Sequence, residues 1–167
     1  MEKVLVTGAT GYIALHCVQQ LLDHGYAVNG SIRSPERKNE VIEALKNSGT
    51  STENLNLFVF DLTNDEGWDD GMEGCDYLLH VASPLALENH TEDYFVKPAV
   101  AGAKRALKFA KKHSVKKVVL TSSVAAIFET GEEKVFYDES DWSDPDNPNI
   151  SNYAKSKTLA EKAAWEF

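Results

Sequence analysis

Cysteine is nearly missing from this chain: Cys17 and Cys75 are its only two, and neither sits at metal-ligand spacing. That excludes a disulfide framework and a cysteine-based metal centre, and suits a reducing compartment. Long apolar runs are missing too, and no stretch approaches the roughly 20 residues a membrane-spanning helix needs. Positive charge is the minority sign. The formal net charge is −9, which argues against nucleic acid or an anionic membrane surface as the main partner, though a local basic pocket remains compatible with it. The opening "MEKVLVTG" enters an apolar run within three residues, without the charged and apolar regions of a signal peptide. A cytoplasmic location is therefore expected.

What the chain does contain is an alternation. Short apolar runs at 3–8, 27–33, 56–62, 76–82 and 116–123 read as strands, each β-branched or aromatic and bounded by polar residues or glycine. The segments between them, near 11–24, 35–47, 65–73 and 91–112, read as helices. In the fourth, Ala99, Ala103, Ala106, Leu107 and Ala110 share one face, and Pro98 predicts a kink or a fresh start. A loop rich in Asp, Pro and Asn (138–150) precedes a last helix. Strict strand–helix alternation over 167 residues predicts an α/β fold, a doubly wound parallel sheet in three layers with right-handed crossovers. Ligands of such sheets bind beyond the carboxyl ends of the strands.

The residues that carry chemistry fall there. "TGATGYIA" follows the first strand, with Gly8, Gly11 and Ala14 at G-x-x-G-x-x-A spacing. Gly8 serves a tight turn, Gly11 allows a pyrophosphate to approach the helix N-terminus, and Ala14 permits close helix–sheet packing. After the second strand, where an NAD site usually places an acid, the chain reads "NGSIRSPERKNE". Arg33 directly follows the strand and can grip a 2′-phosphate, with Arg37 and Lys38 nearby, so NADP(H) is favoured over NAD(H). Each of these cations also fits a solvated helix start. Asp61 and Leu62 end the third strand, suited either to an adenine or, for Asp61, to capping the next helix. "HVASP" closes the fourth strand with small residues, and His80 reads as a packed strand residue rather than a catalyst. "LTSSVAA" brings Ser122 and Ser123 to the end of the fifth.

Among the 6 tyrosines, Tyr153 alone has a lysine four residues on, Lys157, and this spacing puts both on one helical face. Reduction of a carbonyl needs a hydride on carbon and a proton on oxygen. A phenol with an ordinary pKa of about 10 is poorly matched to that task at neutral pH, and a neighbouring ammonium favours its phenolate. A serine hydroxyl beside the phenol would hold and polarise the carbonyl oxygen.

Taken together, "VTGATGYIA", "GSIRSPER", Asp61–Leu62, "HVASP", "LTSSVAA", "DESDW" and "YAKSKTLAEKAAWEF" resemble the extended short-chain dehydrogenase/reductase superfamily. The likeness lies with the branch of dihydroflavonol 4-reductases, cinnamoyl-CoA reductases and aldehyde or methylglyoxal reductases, and runs over the whole chain. It implies Ser123, Tyr153 and Lys157 as catalytic residues. It implies Gly8, Thr10, Gly11, Tyr12, Ile13, Arg33, Lys38, Asp61, Leu62, Val81, Ala82, Ser83 and Thr121, with Tyr153 and Lys157, as contacts of NADP(H). It implies a small carbonyl substrate, no metal, no nucleic acid or membrane partner, and a possible homodimer. Two positions depart from the pattern. Ala99 stands where many members carry a catalytic asparagine, and Phe128 where flavonoid-reducing members tend to carry asparagine, which favours a smaller, more apolar aldehyde or ketone. Members are about twice as long, so residues 1–167 are expected to form the dinucleotide-binding domain bearing the catalytic trio, with the C-terminal substrate domain absent. Two alternatives stay open: a non-catalytic dinucleotide-binding fragment, and a nucleotide-sugar epimerase or dehydratase using the same trio.

Overall fold

The computed structural model describes residues 1–85, 90–130 and 134–167. Five parallel strands, β1 (Lys3–Val6), β2 (Ala27–Ile32), β3 (Leu55–Val59), β4 (Tyr77–His80) and β5 (Lys117–Leu120), form one sheet in the order β3-β2-β1-β4-β5. The order reverses at β1, the register Val4–Val28 on one side and Val4–Tyr77 on the other. The helices are α1 (Tyr12–Asp23), α2 (Lys38–Asn47), α3 (Trp68–Met72), α4 (Glu92–Lys112) and α5 (Asn152–Trp165). This is the doubly wound arrangement expected from the alternation of elements.

The period of two along a strand divides the core. Val4 and Val6 point into a cluster with Ala14 and Val18 of α1, Val28 and Ile32 of β2, and Val41 and Leu45 of α2. Leu5, between them, points the other way, to Leu78, Trp68 and Met72 of α3, and Ala106, Phe109 and Ala110 of α4. Inner strands β1 and β2 are buried almost throughout. The edge strands β3 and β5 are not: Val59 and Val119 are exposed, because no strand lies beyond them among the described residues.

Three local expectations are modified. Pro98 lies inside one continuous helix rather than at a fresh start. The helix expected near 65–73 shrinks to Trp68–Met72, entered through Gly67 in the left-handed conformation. The segment at 35–47 opens as a 3₁₀ turn, Pro35–Arg37, before α2. The 138–150 loop is built as its composition suggests, with Asp138, Asp144 and Asn147 each accepting a backbone N–H two residues on.

The chain forms two compact units. One comprises Met1–Ala82 with Arg105–Thr121, and the other Ser83–Lys104 with Ser122–Phe167. The whole sheet belongs to the first; α5 belongs to the second. Among the described residues no helix is long and apolar enough to cross a membrane.

Candidate functional site

In the first unit, the β1–α1 turn is shaped by Gly8 at φ +75°, where a Cβ would lie 3.0 Å from that of Ala82 and 3.2 Å from its Cα. Both conditions demand glycine. The turn is pinned from β2: the Gly8 N–H donates to Ser31 Oγ at 2.8 Å, and the Ala9 N–H to the Ser31 carbonyl at 2.8 Å. Gly11 is the N-cap of α1, and no side chain caps that terminus. An uncapped helix end behind a glycine turn leaves its first N–H groups to an anion. Tyr12 and Ile13, in the first turn of α1, are exposed, and Thr10 is half-buried beside them. Ala14, third in the glycine pattern, is buried in the core against the sheet. A tight turn with no room for a Cβ at Gly8, leading into an uncapped twelve-residue helix, fits a dinucleotide pyrophosphate. Gly8→Ala should therefore lower unfolding free energy by about 2 kcal/mol in a urea titration, from the left-handed strain plus the Ala82 contact.

Arg33 follows β2 directly and is exposed, as is Lys38 at the start of α2. Among the described residues neither forms an ion pair. Arg37, by contrast, is occupied: its guanidinium donates to both Glu40 oxygens at 2.7–3.1 Å. Of the three cations named from the sequence, Arg33 and Lys38 are thus the two available to a phosphate.

Asp61 is not the cap of α3, a place taken by Gly67. Its Oδ1 accepts from the N–H and hydroxyl of Thr63 at 2.7 and 2.5 Å, and its carbonyl accepts from Trp68 Nε1 at 2.8 Å. Leu62 beside it is half-buried, and its carbonyl is held by Arg105. At the end of β4, the N–H groups of Val81 and Ala82 both donate to Thr7 Oγ1 at 3.0 Å. With both lone pairs engaged, the Thr7 hydroxyl proton points to His80 Nδ1 at 3.0 Å, which makes His80 the Nε2–H tautomer. His80 is indeed a buried strand residue, with Trp68 6.3 Å away between ring centroids. Thr121 extends the β4–β5 ladder by donating to the His80 carbonyl at 2.9 Å.

The second unit holds Ser83, half-buried, and all three residues assigned to catalysis. Ser123 is the N-cap of a 3₁₀ turn, Val124–Ala126, and its Oγ accepts the Ala125 N–H at 3.2 Å. Accepting that bond leaves the hydroxyl proton for another partner. Helix α5 packs on this turn. Its N-cap is Ser151, whose Oγ accepts from the Ala154 N–H at 3.1 Å. Tyr153 stands in the first turn of α5 and Lys157 one turn later, its Nζ 5.9 Å from the Tyr153 ring centroid. Phe95 meets the same ring edge-on at 6.4 Å.

Lys157 is buried. Burial pushes its pKa below the ordinary 10.5, and the Glu161 carboxylate one turn on pushes back. The folded chain therefore sheds this proton before the unfolded chain does. The unfolded state binds more protons between the lowered value and about 10.5, so this lysine's contribution to stability rises with pH across that window.

The sequence reading missed the residues that hold the unit's parts in place. Ser143, fully buried, donates to the Ala125 carbonyl and accepts the Glu129 N–H, both at 2.8 Å. Glu129 in turn accepts from the Ser151 N–H at 2.8 Å and its hydroxyl at 3.0 Å. A run of hydrogen bonds thus joins the Ser123 turn to the cap of the Tyr153 helix. Thr7 and Ser31 went unnoticed for the same reason: hydroxyls that bond across strands leave no local pattern.

The model of the NAD dependent epimerase/dehydratase family matches residues 4–167. The chain belongs to that family. It is 41% identical to vestitone reductase of Medicago sativa, over 99% of this chain and 53% of that protein. It is 38% identical to dihydroflavonol 4-reductase of Arabidopsis thaliana, over 99% and 45%. Among solved structures, yeast methylglyoxal/isovaleraldehyde reductase Gre2 complexed with NADPH superposes with a TM-score of 0.84 at 34% identity, over 99% of this chain and 52% of that one. The chain spans about half the length of these three relatives, and all three are reductases, the class that its motifs resemble.

Proposed function

We propose that these residues form the cofactor-binding and catalytic part of an NADP(H)-dependent reductase acting on a small aldehyde or ketone. One observation carries the reading: Tyr153 and a buried Lys157 share a face of α5, in the same unit as a Ser123 hydroxyl with a proton to give. Bound NADPH would supply the hydride. Tyr153 gives the proton to the carbonyl oxygen, and the Lys157 ammonium lowers the cost of the phenolate left behind. Ser123 donates a hydrogen bond to the same oxygen as charge develops on it. The Gly8–Ile13 turn receives the pyrophosphate, Arg33 and Lys38 the 2′-phosphate, Asp61 and Leu62 the adenine, and Val81–Ser83 with Thr121 the ribose side. The similarity to yeast Gre2, whose structure is complexed with NADPH, supports the choice of cofactor.

The direct test is fluorescence titration of the purified chain with NADPH and NADH, followed by NADPH-dependent methylglyoxal reduction. Arg33→Ala should weaken NADPH about 10- to 100-fold, the worth of one charge-assisted hydrogen bond, and leave NADH within a few-fold. Equal loss for both cofactors would show that Arg33 does not read the 2′-phosphate.

A second reading, a non-catalytic dinucleotide-binding fragment, needs only the β1–α1 glycine turn and its uncapped helix. NADPH binding without turnover by the 167-residue chain would select it. A cytoplasmic protein and a homodimer complete the proposal; sedimentation of the purified chain tests the latter.

A further inference from the structure

Glu161 follows Lys157 by one turn of α5 and has no part in the roles given above. One of its oxygens accepts from the Ser122 hydroxyl, a residue 39 positions earlier and next to Ser123. The other accepts from Trp165 Nε1 at 3.3 Å. Tyr153, Lys157 and Glu161 occupy positions i, i+4 and i+8, so they line one stripe of the helix. The stripe thus carries a phenol, an ammonium and a carboxylate in series, and the carboxylate also grips the segment that presents the serine.

We propose that Glu161 is a positioning residue for the trio: it fastens the Ser122–Ser123 segment to α5 and sets a negative charge beside Lys157. The proposal rests on the reductase reading for its purpose, and its geometry stands apart from it. Two physical consequences follow. The serine turn is tied to the helix by a charge-assisted hydrogen bond, stronger than a neutral one. The buried lysine keeps a counter-charge that opposes its desolvation, which holds the ammonium available to Tyr153.

Among the described residues of α5, Glu161 is the acid one turn from Lys157. Of the titratable groups on the stripe, Tyr153 precedes Lys157 and Glu161 follows it. The Val124–Ala126 turn packed on α5 brings Ser122 and Ser123, both uncharged. From α4, Phe95 faces Tyr153, and Glu92 is drawn to Lys155 at 3.0 Å.

The test is titration of Lys157 by NMR of ¹³C-labelled lysine side chains, assigned with Lys157→Arg, alongside amide exchange at Ala125 and Ala126. In Glu161→Gln, Lys157 should lose its proton at lower pH than in the wild type, since burial then acts without that counter-charge. In Ser122→Ala the carboxylate remains, so the Lys157 midpoint should stay near that of the wild type while exchange at Ala125 and Ala126 quickens. An unmoved Lys157 midpoint in folded Glu161→Gln overturns the electrostatic role. Unchanged exchange in Ser122→Ala overturns the fastening role, and should Glu161→Gln not fold, Glu161→Asp, which draws the charge back by one methylene, reads the electrostatic role through the same Lys157 midpoint. NADPH titration runs in parallel. Failure of the wild type to bind NADPH would defeat the reductase reading without altering either result, so the two failures are separable.

Discussion

Tyr153→Phe should cut NADPH-dependent methylglyoxal reduction by about 10²- to 10⁴-fold, the range typical of losing a general acid, and leave NADPH affinity within a few-fold. The change removes one oxygen and nothing else. The ring that Phe95 meets edge-on remains, and so does the aromatic face 5.9 Å from Lys157 Nζ. The helix start is capped by Ser151 and does not depend on the phenol. A fall in rate therefore reports on the proton and not on folding. The measurement is kcat under saturating cofactor, paired with circular dichroism and a cofactor titration. Full activity in the variant would sink the proton-donor role. A wild-type chain that binds NADPH and turns nothing over would instead select the binding-unit reading. The two outcomes are told apart by the wild-type assay alone.

Trp68→Ala should be the most damaging single truncation, with about 3–5 kcal/mol lost in a urea titration. That is a large share of the roughly 5–15 kcal/mol that holds a typical domain folded, so the variant should be partly unfolded at 37 °C. Trp68 is fully buried, stacks with Phe109 at 5.8 Å between centroids, and lies 4.6 Å from the Phe60 ring. Its indole N–H also holds the Asp61 carbonyl. Losing it empties a cavity under the sheet and releases the turn proposed to meet the adenine. Trp68→Phe separates the two effects. It keeps most of the ring packing and leaves the Asp61 carbonyl without its donor, so it should cost less, about 1–3 kcal/mol. If Trp68→Ala were as stable as the wild type, the α3–α4 face of the core would not be what holds this unit together.

How much of this could be read without coordinates depended on the range over which a signal acts. Gly8, Gly11 and Ala14 announce their turn because its requirements are met within seven residues. Tyr153 and Lys157 announce their shared face because the helical repeat by itself brings them together. Strand–helix alternation implied the parallel sheet, since parallel strands need crossovers and two buried faces leave the runs apolar. His80 was legible as a core residue, but not the hydroxyl that sets its tautomer.

The remainder was decided by tertiary structure. Thr7 meets Val81 and Ala82 only because β1 and β4 are neighbours, an adjacency that sheet order settles. Pro98 is carried within α4, because the helix's alanine face is buried and that packing outweighs one missing backbone donor. Asp61 serves Thr63 rather than α3, since Gly67 takes the helix start. Glu161 reads as an ordinary surface acid until Ser122, 39 residues away, is folded against it. The sequence by itself determined which residue types stand in each turn and on each helical face, because those follow from local geometry. Which of them touch was determined by packing, because contacts between distant segments exist only after the chain has folded.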